Sequence, residues 1–330
     1  MGGKELTIGK RRGLASTSDE KGIFNILAFD HRQSFVDMVT SETAPDVVYS
    51  AAAAAKLEVI KNLCSAASAV LLDPLFGAPQ AIAVDALPRE TGLLVAVEKS
   101  GYTGDSTARE TQLLSGWGVK KIKRMAGDAV KLLIYYHPES GRLAEEQELL
   151  VREVASTCQQ EDIAFFLEAV TYSVEPGIDK KSAEFAAGKP EVVTKTVKRL
   201  SALEPDVLKI EFPVDTQWNP ETAEWVEACQ MVAEASVCPW TVLSAGVDFD
   251  VFQKQVEIAC QAGASGFIGG RAIWKEGISM SPEKREEWLK TTARERLKAL
   301  SKTAGDHGTP WTDFYPPQDF AAYQNWYKHY

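Results

Sequence analysis

A lysine in the middle of an apolar segment is the residue of this sequence with the clearest potential for chemistry. Lys209 lies within DVLKIEF, residues 206–212, whose apolar residues predict a buried β-strand. An ammonium group is rarely buried without a partner or a chemical role. Burial disfavours the charged form of a lysine, and a second cation such as Lys131 disfavours it further. A neutral amine can attack a ketone and form a Schiff base, so Lys209 is a candidate nucleophile.

The protonated imine formed in this way would withdraw electrons and let a neighbouring carbon–carbon bond break without a metal. Glu168, which follows the apolar run IAFFL, is a candidate for moving protons, a role that suits a carboxylate with a raised pKa. Backbone N–H groups at two glycine-rich segments and the planar guanidinium of Arg271 together suit a phosphate. The further candidates at predicted strand ends are Asp30, His31, Arg32, Ser244, Gly246, Gly269 and Gly270.

Each candidate also has a purely structural interpretation. Lys209 could be paired with a neighbouring carboxylate, and Glu168 could cap the next turn. Asp30 and Arg32 could simply pair with each other, and a Gly-Gly sequence often only permits a tight turn. The functional interpretation is favoured because all of these residues fall at the same end of the predicted strands.

Eight short apolar runs alternate with helically periodic stretches, and most of them are apolar on both faces, as in a covered parallel sheet. The predicted strands are 23–29, 69–73, 92–97, 129–135, 163–168, 206–212, 240–244 and 265–269. The predicted helices are 46–67, 115–126, 142–161, 190–203, 220–235, 248–262 and 281–303, with only a brief helix in 74–91. Asn219 and Ser281 precede Pro220 and Pro282 and are predicted N-caps.

This alternation predicts an α/β protein with a single domain, residues 1–330, folded as a (β/α)8 TIM barrel. Residues 1–22 would form an N-terminal extension and residues 304–330 a C-terminal tail. The rival fold is a doubly wound open sheet, but no G-x-G-x-x-G motif follows the first strand, where the sequence is instead FDHR. Active sites of such barrels lie at the carboxyl ends of the strands, where the candidate residues fall.

Composition excludes several classes of partner. The net charge is −10 without a basic stripe, so nucleic acid is not expected as a partner. The five scattered cysteines do not form a disulfide framework, and neither a signal peptide nor a membrane span is visible, so we expect a cytoplasmic protein without a membrane partner. Of the four histidines only His31 and His137 lie near strand ends, so we expect neither a metal site nor another cofactor.

Several longer stretches resemble the class I tagatose 1,6-bisphosphate aldolases over nearly the whole chain. They include LAFDHR, LLDPLFG, EKSGY, WGVKKIKRMAGDAVKLLIYY, EDIAFFLEAVTY, DVLKIEFPV, LSAGV and TPWT. The later segment PWTVLSAGVDFDVFQKQVEIACQAGASGFIGGRAIW is also similar to the sulfofructose phosphate aldolases. The resemblance implies a (β/α)8 barrel in which Lys209 forms the Schiff base and Glu168 shuttles protons. It also implies that Lys131 and Asp30 bind and polarise the substrate. The phosphate of the dihydroxyacetone phosphate half would be held by Ser244, Gly246, Gly270 and Arg271.

One position departs from the family. The first-strand motif usually reads F-D-Q-R, whereas this chain has His31 in place of the glutamine. Histidine is bulkier and can titrate near neutral pH. Because this loop should face the sugar or its far end, His31 and Arg32 are expected to select the substrate.

The resemblance implies reversible cleavage of a phosphorylated ketose, tagatose or fructose 1,6-bisphosphate, to dihydroxyacetone phosphate and glyceraldehyde 3-phosphate. One alternative is 6-deoxy-6-sulfofructose 1-phosphate as the substrate, which would give sulfolactaldehyde. Another is a regulatory protein that senses sugar phosphates with little turnover. The oligomeric state stays open, as does the aromatic tail, which could dock onto a second copy or fold back on its own barrel.

Overall fold

Eight parallel strands form the centre of the structure, a computed structural model that describes residues 5–328 and 330. Residues 1–4 of the predicted extension and His329 lie outside the described residues. The strands pair in chain order, and pairing of the last strand with the first closes the barrel. The strands are β1 (Phe24–Phe29), β2 (Ala69–Leu72), β3 (Gly92–Ala96), β4 (Ala129–Tyr135), β5 (Ala164–Val170), β6 (Val207–Glu211), β7 (Trp240–Leu243) and β8 (Gly266–Gly269).

Helices connect the strands and cover the barrel. They are α1 (Ile8–Thr17), α2 (Gln33–Val39), α3 (Pro45–Leu63), α4 (Ala78–Ala83), α5 (Val119–Arg124), α6 (Arg142–Gln160), α7 (Ala183–Ser201), α8 (Thr222–Ala235), α9 (Phe249–Gln261), α10 (Arg271–Ile278), α11 (Pro282–Trp288), α12 (Arg294–His307) and α13 (Trp311–Phe314). Within the part of the chain that the structure describes, none of these helices is both long and apolar enough to cross a bilayer.

The predicted (β/α)8 barrel is confirmed, and its closure rules out the open-sheet alternative. Each predicted strand overlaps an observed one, because strands that are buried on both faces require continuous apolar runs. The side chains of β1, β2, β3, β6, β7 and β8 are buried throughout. The brief helix that we expected within 74–91 is α4.

Three helix predictions need correction. α8 begins at Thr222 rather than Pro220, because residues 215–219 form a turn in which the Asn219 N–H donates to Asp215 O. α7 begins at Ala183, seven residues before the predicted start, since the Ser182 side chain accepts a hydrogen bond from Phe185 N and caps it. The predicted helix 281–303 is interrupted by a π-helical turn, Leu289–Ala293, between α11 and α12. Ser281 does occupy the N-cap position before Pro282, as predicted.

Helix α1 of the N-terminal extension lies against the amino ends of the strands. Lys10 on this helix forms a buried ion pair with Asp206, with 2.9 Å between Nζ and Oδ2. Gly13 allows the close approach, because a Cβ at this position would lie 2.4 Å from Asp128 O. The helix therefore closes the end of the barrel opposite the predicted active site.

The C-terminal tail divides into two parts. Trp311 and Tyr315 are buried, and the Tyr315 hydroxyl donates to Asp206 O at 3.0 Å, so the first part folds back on the barrel. Phe320 is 92% exposed, and Trp326 and Tyr327 are also exposed. The fold-back interpretation therefore holds for residues 304–315, and the Tyr330 hydroxyl also returns to the barrel by donating to Asp162, while Phe320, Trp326 and Tyr327 stay exposed.

Candidate active site

A cleft of about 620 Å³ opens at the carboxyl ends of the strands and is lined by residues from both the strands and the loops that follow them. The parallel register places its charged residues close together: Glu168 on β5 lies directly beside Lys209 on β6. Lys131 lies on β4, which pairs with β5 on the side opposite β6. The predicted site residues that line the cleft are Asp30, His31, Arg32, Lys131, Glu168, Lys209, Gly246 and Arg271.

Lys131 is the centre of the charged cluster. Its Nζ lies 2.7 Å from Asp30 Oδ2, 2.8 Å from Glu98 Oε1 and 2.8 Å from Glu168 Oε2. Burial alone would lower the Lys131 pKa, but the three carboxylates outweigh it and hold the pKa well above its usual value. Lys131 is therefore a permanent cation at neutral pH.

Glu168 lies between two ammonium groups. The same Oε2 that contacts Lys131 is 2.9 Å from Lys209 Nζ, and all three side chains are buried. Burial raises the Glu168 pKa, yet Lys131 and Lys209 outweigh burial and leave the pKa below its usual value. The raised pKa expected for this carboxylate is thus wrong, and Glu168 is ionised. Lys209 has the carboxylate partner that the structural interpretation allows, but it shares this partner with Lys131.

Asp30 and Arg32 do not pair with each other. Asp30 contacts Lys131, and although burial opposes ionisation, Lys131 and Lys209 hold the Asp30 pKa far below its usual value. Arg32 is bound to Glu98, through NH1 to the backbone oxygen at 2.5 Å and through NH2 to Oε1 at 3.1 Å. Glu98 also accepts from Leu133 N at 3.1 Å.

Glu98 is a member of the cluster that sequence reasoning missed. It directly follows the third predicted strand, which is the position that singled out Asp30 and Glu168 on other strands. Its conformation is fixed by Arg32, Lys131 and Leu133, so it orients both cations towards the cleft.

His31 is packed edge-on against Trp274, with 5.2 Å between ring centroids. Burial, together with the nearby Arg271, lowers the His31 pKa to about 3, although Asp30 opposes this. The imidazole is therefore neutral at physiological pH, and its Nδ1 is buried without a hydrogen-bond partner among the described residues. Lys56 fixes this loop by donating to Phe29 O at 2.8 Å and to His31 O at 2.6 Å.

The ends of β7 and β8 form the second half of the cleft. Gly246 has φ +84°, and a Cβ there would lie 3.0 Å from Arg271 Cζ, so glycine lets the guanidinium pack onto the backbone. Ala245 also has a positive φ of +47°, which costs a non-glycine residue about 1–2 kcal/mol. Such strain is concentrated at functional sites.

Ser244, Gly269 and Gly270 lie beneath this surface. The Gly270 N–H points at Ser244 Oγ, at 3.4 Å, and Ser244 is buried. A Cβ on Gly270 would lie 2.9 Å from Ala28 O and 3.0 Å from His31 Cε1, so glycine is needed where β8 meets the β1 loop. A Cβ on Gly269 would lie 2.8 Å from Phe252 Cε1 and 3.0 Å from Ile273 Cδ1, so this glycine is needed for packing.

Within the described residues no group of three His, Cys, Asp or Glu side chains is arranged to hold a metal ion. His137, the other histidine near a strand end, accepts a hydrogen bond from Glu139 N at 3.2 Å.

A (β/α)8 barrel with this lysine–carboxylate cluster has the form of a carbon–carbon lyase of the aldolase type, and comparison with known proteins gives the family. A family model described as DeoC/LacD family aldolase matches residues 24–276. The tagatose 1,6-diphosphate aldolase of Lactococcus lactis subsp. lactis is 35% identical over 329 residues, which cover 93% of this chain and 99% of that protein. The tagatose 1,6-diphosphate aldolase of Streptococcus pneumoniae is 35% identical over 329 residues, with the same coverage of 93% and 99%. The chain belongs to the DeoC/LacD family of aldolases.

A solved structure of a Schiff-base-forming fructose-1,6-bisphosphate aldolase is similar with a TM-score of 0.55. It covers 89% of this chain and 98% of that chain at 16% identity. This likeness is one of fold.

Proposed function

We propose that the protein is a class I aldolase that cleaves a ketose 1,6-bisphosphate of the tagatose or fructose type through an imine on Lys209. The products are dihydroxyacetone phosphate and glyceraldehyde 3-phosphate. The observation on which this rests most is the shared carboxylate: one oxygen of Glu168 contacts both Lys209 Nζ and Lys131 Nζ, at 2.9 Å and 2.8 Å. A lysine that only stabilised the fold would not need a proton acceptor that opens onto a cleft.

Glu168 moves the protons of imine formation. As an ionised carboxylate it takes a proton from Lys209, and the neutral amine attacks the C2 carbonyl of the ketose. The nitrogen, which is positively charged after this attack, passes one proton to the carbonyl oxygen, which becomes a hydroxyl group, and the neutral carbinolamine results. Glu168 then returns its proton to that hydroxyl, which leaves as water, and a protonated imine remains on Lys209.

Cleavage uses the imine as the electron acceptor. Glu168, again ionised, takes the proton of the C4 hydroxyl, the C3–C4 bond breaks, and its electrons move into the imine to give an enamine. The aldehyde leaves with the new C4 carbonyl. Glu168 protonates C3, and water hydrolyses the imine to release dihydroxyacetone phosphate and the free lysine. One water is released and one is consumed, so the cycle balances.

Lys131 and Asp30 hold the substrate for these steps. Lys131 stays protonated because three carboxylates surround it, so its positive charge polarises the substrate and the side chain does not compete as a nucleophile. Asp30 is ionised at all physiological pH values and accepts hydrogen bonds from hydroxyl groups. Arg32 acts as a positioning residue, because its guanidinium is bound to Glu98 and fixes that carboxylate against Lys131.

The phosphate next to the ketone is placed at the ends of β7 and β8. Backbone N–H groups near Gly246 and Gly270, the Ser244 hydroxyl and the Arg271 guanidinium suit a phosphate there. Gly269 supports this surface from below. The neutral His31, with its unpartnered Nδ1, is available for a hydrogen bond to a sugar hydroxyl. We propose no metal and no other cofactor.

The remaining parts of the proposal concern context. The extension helix and Tyr315 both pack on the barrel, which supports a single domain over residues 1–330. The five cysteines, all within the described part of the chain, are buried and form no disulfide bond, as suits a reducing cytoplasm. The partner is a small phosphorylated ketose rather than nucleic acid or a membrane.

Borohydride trapping tests the proposal. Reduction during turnover should fix a three-carbon phosphate on Lys209, detected by mass spectrometry of the digested protein, and Lys209→Ala should give no adduct. Labelling of Lys131 instead would contradict the assignment of the nucleophile. A protein that binds a ketose bisphosphate without forming any adduct or releasing dihydroxyacetone phosphate would be a sensor rather than an aldolase.

A further inference from the structure

Lys189 is a buried cation that the mechanism does not use. It lies on α7, is 9% exposed and lines the cleft. Its Nζ donates to Val214 O at a long 3.4 Å, and within the described part of the chain no carboxylate lies within 4 Å of it. Burial lowers the Lys189 pKa, which the nearby Glu211 only partly opposes.

The other buried lysines of the described chain are paired differently. Lys10 contacts Asp206, Lys56 contacts Asp73, and Lys131 contacts three carboxylates. Lys209 contacts Glu168. Every other buried lysine of the described chain, whether structural or catalytic, therefore has a carboxylate oxygen within 4 Å of its Nζ, and Lys189 does not. A buried ammonium group that faces a cleft without such a partner is suited to an anionic ligand.

Glu211 is not free to neutralise Lys189. Its Oε2 accepts from Thr171 N at 2.8 Å and from Thr171 Oγ1 at 2.7 Å, and its Oε1 is paired with Lys180. Lys180 lines the cleft beside Lys189. Lys181 and Asp215 also line this wall of the cleft, and Asp215, like Glu211, acts against the effect of burial on the Lys189 pKa. The wall therefore contains three lysines against two carboxylates, and the hydrogen-bonding capacity of Glu211 is already in use.

The position of this pair fits one end of a ketose. Lys209 on β6 separates Lys180 and Lys189, which belong to the connection after β5, from the predicted phosphate surface at β7 and β8. If C2 of the substrate is bonded to Lys209 and its first phosphate lies at β7 and β8, its other end can reach the part of the cleft lined by Lys180 and Lys189. At the β1 side of the cleft, Arg32 is already bound to Glu98 and His31 is neutral at physiological pH.

We propose that Lys189, assisted by Lys180, forms the subsite that binds the terminal phosphate at the aldehyde end of the substrate. This inference rests on the proposed aldolase function and assigns the end of the substrate that Lys209 and Arg271 do not reach. A phosphate dianion supplies the acceptor oxygens that the Lys189 ammonium lacks, and its second charge matches the excess cation of this wall.

The test compares fructose 1,6-bisphosphate with fructose 1-phosphate, which lacks only the terminal anion. For Lys189→Met we expect kcat/KM to fall about 10- to 100-fold on the bisphosphate, the usual scale for a lost charged hydrogen bond, and far less on the 1-phosphate. Lys180→Met should show the same selectivity at smaller size, because Glu211 would then be released to neutralise Lys189. If Lys189→Met does not fold, the selectivity of Lys180→Met tests the proposed subsite.

Lys99→Met is the matched control. Lys99 also lines the cleft but is exposed at the end of β3, so its loss should change neither substrate by more than about threefold. Equal losses on both sugars in the Lys189 and Lys180 variants, or no losses, would overturn the inference and leave the aldolase function intact. If only Lys99→Met lowered kcat/KM selectively on the bisphosphate, the phosphate subsite would lie at the end of β3, and the inference would also be overturned. If the unmodified protein cleaves neither sugar, the proposed function fails and the inference fails with it.

Discussion

Replacing Glu168 with glutamine removes the one carboxylate that contacts both Lys131 and Lys209, at 2.8 Å and 2.9 Å. Glutamine has nearly the same size and can still accept a hydrogen bond, but it cannot take up and return a proton. Every step of the proposed cycle passes a proton through this position. We therefore expect kcat to fall about 10²- to 10⁴-fold, or roughly 3–5 kcal/mol in the barrier.

The same substitution changes the charge balance of the cluster. Lys131 keeps Asp30 and Glu98, whereas Lys209 loses its carboxylate and retains only the amide oxygen as an acceptor. Leaving a buried charge without its partner costs up to about 3–5 kcal/mol, and the remaining acceptor reduces that cost. We expect a folded protein whose free energy of unfolding is lower by about 1–3 kcal/mol.

The assay couples release of dihydroxyacetone phosphate to a dehydrogenase, with a thermal melt to confirm folding. Glu191→Gln, an exposed position on α7, is the matched control and should leave kcat unchanged. A Glu168→Gln protein with near-normal kcat would return Glu168 to a structural role as the counter-ion of Lys131. A protein that melts far below the unmodified chain would show that the cluster is needed mainly for folding.

Three further predictions follow from the site. Because the imine accepts the electrons, EDTA should leave the cleavage rate unchanged, and activity lost with the chelator and restored by zinc would refute the Schiff-base mechanism. His31 has a folded pKa of about 3 and an ordinary value of 6.5, so between these pH values only the unfolded state binds the proton and stability falls as pH falls. The free energy of unfolding should fall between pH 7 and pH 5, and in His31→Gln this fall should be smaller by about 2 kcal/mol. Urea titration at the two pH values measures it, and an unchanged pH dependence would contradict the neutral imidazole. Tagatose and fructose 1,6-bisphosphates should both be cleaved with higher kcat/KM than 6-deoxy-6-sulfofructose 1-phosphate. Because His31 stays neutral, the ratio of these kcat/KM values should not change between pH 6 and pH 8 through titration of His31. A preference of about tenfold or more for the sulfonate would refute the substrate assignment.

Local patterns in the sequence were sufficient for the barrel and for the position of Asp30, Lys131, Glu168 and Lys209 at its rim. The runs that became β1 to β8 are apolar on both faces, and a strand covered by helices on one side and a barrel interior on the other requires that pattern. Lys209 and Glu168 stood out because a charged residue in or directly after such a run conflicts with burial. Their neighbours on other strands then followed from the common direction of parallel strands.

Features that depend on several segments could not be predicted in this way. Asn219 and Pro220 form a pattern that is typical of a helix start, but a turn at residues 215–219 precedes α8, which begins at Thr222. Glu98 gained its importance only when β1, β3 and β4 brought Arg32 and Lys131 to it.

The charge states of the site were decided by tertiary structure alone. The sequence indicated a titrating His31 and a Glu168 with a raised pKa, whereas the folded protein lowers the pKa of both. Lys189 was not distinguished from the other lysines of α7 until its burial and the commitment of Glu211 to Thr171 and Lys180 were known. The physical reason is that apolar burial acts on each run of residues separately, while a pKa sums burial and the Coulomb interactions of groups far apart in the chain.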